Sequence, residues 1–177
     1  MAEETRTETS VFEHEVRIAA APETVFGYFT DPARIVQWMG VEATLDPRPG
    51  GICRIAFQPA EAVRDGMAAL LGVTRPPATA EPAVWVMSGR FVEVDPPHRI
   101  ELTWGWQEDV IGVPPQSTAV DVSFVPDDDG TLLRLVHRRL PAGRTAFIQA
   151  GWEHYLPRLA AAAAGDARPD PWQDAAD

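Results

Sequence analysis

The chain has 177 residues, 45% of them hydrophobic, which suits one folded domain with a substantial core. Its formal net charge of −11 disfavours nucleic acid and anionic membrane surfaces as partners. All fifteen basic residues are arginine, which excludes lysine Schiff-base chemistry, and the single cysteine, Cys53, excludes an intrachain disulfide and a cysteine-built zinc site.

The first ten residues, MAEETRTETS, read as a flexible acidic leader. They lack the basic flank and apolar run of a signal peptide, and no stretch approaches the roughly 20 apolar residues of a membrane span. The expectation is a cytoplasmic protein without membrane insertion. VFEHEVRI then alternates, with Phe12, His14, Val16 and Ile18 on one face, as a half-buried strand does. Pro22 and Glu23 suit the first turn of a helix carrying Val25, Phe26 and Phe29. Asp31-Pro32 ends it, and a second short helix brings Ile35 and Trp38.

VEATL and ICRIAF read as strands around a proline-glycine turn. Residues 58–82 interrupt the strand pattern: Val63, Met67, Leu70 and Leu71 suit a short amphipathic helix, and a proline-rich loop follows. VWVMSGRFVEV and RIELTWGW flank the turn DPPH, and STAVDVSFV and TLLRLVHRRL flank PDDDG, as two hairpins. The last helical stripe runs through Phe147, Ile148, Trp152, Tyr155 and Leu159, with Pro157 predicting a kink and Gly165 a stop. Residues 166–177 read as an acidic, proline-bearing, disordered tail, in which Trp172 is the one residue suited to docking.

A strand, two short helices, several antiparallel strands and one long C-terminal helix make an α+β layout, because an apolar sheet face needs a covering layer. The blocks RIAAAPETVFGYFTDPARIVQWMG, GRFVEVDPPHRIELTWGW, GTLLRLVHRRLP and GWEHYLPRLAAAAAG resemble the SRPBCC (START-like) superfamily. Within it they resemble the domain related to the activator of the heat-shock-protein-90 ATPase. The resemblance covers roughly residues 11–164. It implies a helix-grip fold, a curved antiparallel sheet wrapped around the C-terminal helix, as one domain over 11–165 with an insertion at about 58–82. It also implies a space between sheet and helix, in a family that spans co-chaperone domains, lipid and polyketide binders and aromatases.

On that frame the candidate pocket takes Trp104, Trp106, Val122, Phe124 and Leu135 from the sheet. Phe147, Trp152 and Tyr155 come from the helix. Trp104 reads as core and Trp106 as rim. Arg90 breaks the apolar series Val84, Val86, Val92, Val94 and suits either a ligand carboxylate or an acidic neighbour. His137 ends the Leu133–Leu135 face, and in the resembling fold it lies on the strand beside His14. It reads as a hydrogen-bonded histidine at the polar end of the pocket, with ligand anchor and general base as the alternatives. No ligand spacing for a metal is present, and no cofactor is expected. Three roles follow: binding of a small hydrophobic or aromatic molecule without robust catalysis; a protein-interaction module with a protein partner or a second copy; or a cyclase, aromatase or hydrolase using His137 and Arg90.

Overall fold

The computed structural model describes residues 8–72, 74, 83–107 and 111–173. Among them the chain forms, in order, β1 (Thr9–Ile18), α1 (Pro22–Thr30), α2 (Pro32–Ile35), β2 (Glu42–Leu45), β3 (Ile52–Phe57), α3 (Glu61–Leu71), β4 (Trp85–Asp95), β5 (Arg99–Trp104), β6 (Thr118–Asp127), β7 (Gly130–Pro141) and α4 (Thr145–Ala163). The strands make one seven-stranded sheet in the order β1-β7-β6-β5-β4-β3-β2, with every neighbouring pair antiparallel. The C-terminal helix packs on one face of this sheet, so the architecture is the helix-grip α+β fold.

Local chemistry sets the elements. Pro22 opens α1, where its missing N–H is no loss, and the Asp31 carboxylate accepts from the Ala33 N–H at 2.8 Å to start α2. The stripe Val25, Phe26, Phe29 is buried, and Phe26 and Phe29 meet Phe124 of β6 edge-on at 5.3 and 5.4 Å. Trp38 is enclosed beside them, its indole N–H donating to the Tyr28 carbonyl at 3.0 Å. One end of the sheet is thereby sealed by α1 and α2.

Strand parity holds in β5, β6 and most of β7, where Ile100, Leu102, Val120, Val122, Leu133 and Leu135 are all buried. The inward series of β7 ends at His137 because a bulge follows. Ser10 faces Leu140 and Phe12 faces His137, so β7 carries an extra residue there, with Arg139 at φ 60°. Leu140 then resumes the buried face.

Strand β4 reverses the expected parity. Its buried residues are Val86, Met87, Gly89 and Phe91, whereas Arg90 and Val92, like Val84 just before the strand, are exposed. Met87 and Phe91 take the core, Val92 stays on the solvent face, where β-branching still favours a strand, and the irregularity between Phe91 and Glu93 brings Val94 back against the core beside Ile100. Gly89 fits this inward series because an added Cβ would lie 1.8 Å from the Thr103 carbonyl oxygen.

The two terminal expectations also change. β1 begins at Thr9, inside the segment read as leader. Residues 166–173, read as disordered, are docked on the body, while residues 174–177, residues 1–7 and most of the proline-rich half of the 58–82 insertion lie outside the described residues.

Candidate functional site

At the end of the sheet opposite α1, the two layers do not close completely. β5 ends at Trp104, and after Gly105 the chain turns Trp106 to the same side. Gly105 allows a close crossing, since a Cβ there would meet the Pro114 carbonyl oxygen at 1.8 Å. Opposite, α4 presents Phe147, Gly151, Trp152 and Tyr155, which recur at helical spacing. Phe57 and Trp85 close the side formed by β3 and β4, and Val63 and Met67 of α3 come over the top. The space is about 50 Å³ and partly open, room for only a few water molecules. A second, shallower groove of about 340 Å³ lies between α3 and α4 and shares Val63, Met67, Phe147, Gly151 and Trp172 as walls with the first.

The C-terminal strap forms the remaining wall. Trp172 lies flat on His154, with ring centroids 3.7 Å apart and planes 1° from parallel. Gln173 donates to the Tyr155 hydroxyl at 3.0 Å and accepts from the Gln58 N–H at 2.8 Å, while the Trp172 carbonyl accepts from the Ala60 N–H at 2.9 Å. Asp170 meets the His154 ring at 2.9 Å. Burial works against the Asp170 carboxylate, but the bonds from His154 and the Trp172 N–H, with the Arg158 charge, hold it below its ordinary range. Burial, and then the Asp170 charge, push the Tyr155 hydroxyl up, so it stays protonated. The strap was missed in the sequence because its acidic, proline-bearing composition outweighed its one tryptophan.

His137 sits behind this cavity, fully buried. The Trp152 indole N–H donates to Nδ1 at 3.1 Å, and Nε2 lies 2.7 Å from the Thr118 hydroxyl, which donates to the Trp104 carbonyl at 2.8 Å. The Trp152 donor requires a bare Nδ1, so the proton is on Nε2 and the chain runs Trp152 to His137 to Thr118 to Trp104. Burial lowers the imidazole pKa to about 3. The ring is neutral and both nitrogens are engaged by the protein, an arrangement that fixes Trp152 and the end of β5 and leaves neither nitrogen for a substrate.

The sequence-predicted residues divide accordingly. Trp104, Trp106, Phe147, Trp152 and Tyr155 line the cavity together. Trp106 is no rim residue: it is as buried as Trp104. Val122, Phe124 and Leu135 lie in the packed core away from the cavity walls. Arg90 is corrected outright. It is exposed on the far side of β4, where its guanidinium donates to the Gly50 carbonyl at 2.9 Å, and it neither approaches His137 nor meets the cavity. His14 stacks on Phe12 at 6.0 Å, and among the described residues no group of three or more His, Cys, Asp or Glu is placed to hold a metal ion. Burial pushes the Cys53 thiol up to about 12, which leaves it a small apolar core residue. Trp85, Phe57 and Met67 are further cavity residues, which no spacing or parity in the sequence groups together.

A curved antiparallel sheet gripping a C-terminal helix, with a cavity between them, defines the SRPBCC class, and the comparisons narrow it. Residues 19–164 match the family described as activator of Hsp90 ATPase homolog 1-like protein, and the chain belongs to that family. The AHSA1-like protein of Rhizobium etli, solved in solution, is similar at 36% identity and a TM-score of 0.61, over 96% of this chain and 91% of that one. An Hsp90 activator from Plasmodium falciparum shares the fold at 21% identity and a TM-score of 0.59, over 84% and 92% of the two chains. DynU16, from the dynemicin biosynthetic locus, shares it at 20% identity and a TM-score of 0.65, over 90% of this chain and 50% of the other. A search of the curated proteins gives no match. No helix among the described residues is long and apolar enough to cross a membrane.

Proposed function

We infer that the chain is a cytoplasmic small-molecule-binding domain that holds an apolar, ring-bearing ligand between the sheet, α4 and the C-terminal strap, without robust catalysis. The observation that carries this reading is the cavity wall itself: aromatic side chains from β3, β4, β5 and α4 converge on it, and no charged side chain is among its described lining residues. Small-molecule sites are mostly apolar, with few polar groups placed among aromatics. The space beneath the strap is too small for such a ligand, but it shares Val63, Met67, Phe147, Gly151 and Trp172 with the larger groove. The groove, about 340 Å³, by itself reaches the lower end of the range of ligand sites, about 300–1,000 Å³, and displacement of the strap would extend it onto the aromatic wall. Against catalysis stand the closed hydrogen-bond chain of His137 and the distance of Arg90 from the cavity.

A second reading, a protein-interaction module, draws on the family and on the net charge of −11, which suits a basic patch on a partner. Titration of the full chain with mono- and bicyclic aromatics, followed by quenching of the cavity tryptophans, separates the two. Saturable one-to-one binding is expected. Absence of binding by every compound up to its solubility limit refutes the small-molecule reading.

A further inference from the structure

Four of the buried indoles differ in one respect. The Trp38 N–H is bonded to the Tyr28 carbonyl and the Trp152 N–H to His137 Nδ1, but the N–H groups of Trp104 and Trp106 are buried without a hydrogen-bond partner. Buried donors in folded proteins are nearly always satisfied, so two unpaired donors on neighbouring residues call for an explanation. Both residues are more than nine-tenths buried, both line the same cavity, and their rings stand 6.5 Å apart at 85°. Trp106 packs on Phe57 at 5.3 Å and Trp104 on Trp152 at 5.1 Å, aromatic faces that offer neither N–H a strong acceptor.

We propose that these two indole N–H groups are the polar recognition element of the cavity, and that its ligand is a neutral ring compound bearing a carbonyl oxygen. The inference rests on the small-molecule reading above and specifies the ligand class. An indole N–H only donates, so its ligand partner must be an acceptor. A carbonyl oxygen has two lone pairs and can take both donors. The ligand is neutral because the described lining residues carry no cation to offset the desolvation of a carboxylate. The surrounding wall, Phe57, Phe147 and Tyr155 among it, suits the ring and offers little to a donor-rich molecule such as a sugar.

The test uses 1-indanone and indane, which share a skeleton and differ by one carbonyl. In a merely greasy cavity indane binds more tightly, because the carbonyl loses its water and gains nothing. With the two donors engaged, 1-indanone binds at least tenfold more tightly than indane to the full chain. Its binding also moves the Trp104 and Trp106 indole signals downfield in the ¹⁵N–¹H spectrum of the wild-type protein, while those of Trp38 and Trp152 stay in place. Trp106→Phe, which keeps a ring and removes one donor, is expected to narrow the ratio of the two affinities; the wild-type indole spectrum decides the matter should that variant fold poorly. Tighter binding of indane with unmoved Trp104 and Trp106 signals overturns the carbonyl proposal and leaves the small-molecule reading standing. Binding of neither compound overturns the carbonyl proposal, and the wider aromatic titration above then decides the small-molecule reading.

Discussion

Trp172, from the segment after the last helix, lies parallel on His154 of α4 at 3.7 Å and closes the mouth of the aromatic cavity. The strap is tied at both sides, through Asp170 and Arg158 to α4 and through Gln173 to Gln58. One wall of the cavity is therefore made by residues that follow the last helix.

Replacing that wall has two expected effects. Trp172→Ala loses the stacking and its packing on the core, and should cost about 1–3 kcal/mol in a denaturant melt. The association rate of 1-indanone, followed by stopped-flow fluorescence, should rise severalfold because the mouth is open. An unchanged midpoint with an unchanged rate shows that the strap does not dock in solution.

The buried neutral His137 makes stability depend on acid. Its folded pKa, about 3, lies below the ordinary value of 6.5. On lowering the pH through 6.5 the unfolded chain takes up a proton that the folded chain refuses, so stability is full above 6.5 and is lost as the pH falls toward 3. The slope attributable to this one group reaches about 1.4 kcal/mol per pH unit. His137→Gln should flatten the stability profile across that window by up to this amount. A variant whose melts parallel the wild type from pH 6 to 4 contradicts a neutral, buried imidazole.

Leu102→Ala and Leu135→Ala each remove a buried side chain from the inward face of the sheet, and each should destabilise the fold by about 2–5 kcal/mol. Losses below roughly 1 kcal/mol in urea melts are inconsistent with burial at either position.

Cys53 is 2% exposed and its thiol is pushed up to about 12 by burial. The folded protein at neutral pH should resist a thiol reagent for as long as it stays folded, and should react with one equivalent in strong denaturant. Rapid labelling of the native chain shows that β3 opens.

Much of the fold was legible because apolar and polar residues alternate cleanly in β1, β5, β6 and β7, and because Pro22 and Asp31-Pro32 punctuate the first helices. β4 was misread because Val92 sits on its solvent face, Gly89 sits among its inward residues and a register shift between Phe91 and Glu93 changes the parity part-way along, so simple alternation no longer marks the core side. Arg90 followed that parity to the wrong face. The Trp104, Trp106 and Trp152 group was legible from strand ends and helical spacing. An effect of the 58–82 insertion on the cavity mouth and a docked Trp172 were open to a sequence reading, but the residues that meet were not, since that depends on contacts between residues far apart in sequence, such as Gln58 with Gln173 and Tyr155 with Trp172. Nor does a sequence reveal which indole N–H lacks a partner; that emerges only when Trp152 meets His137 and Trp104 and Trp106 meet nothing comparable.

The most direct measurement is an isotope-filtered nuclear Overhauser spectrum of the full chain saturated with 1-indanone, which reports which side chains the ligand touches and whether the strap has moved. Contacts from the ligand ring to Trp104, Trp106 and Phe147, together with loss of the Trp172–His154 stacking contact, are expected. Ligand contacts confined to the outer surface, with Trp172 still seated on His154, would contradict a ligand site beneath the strap.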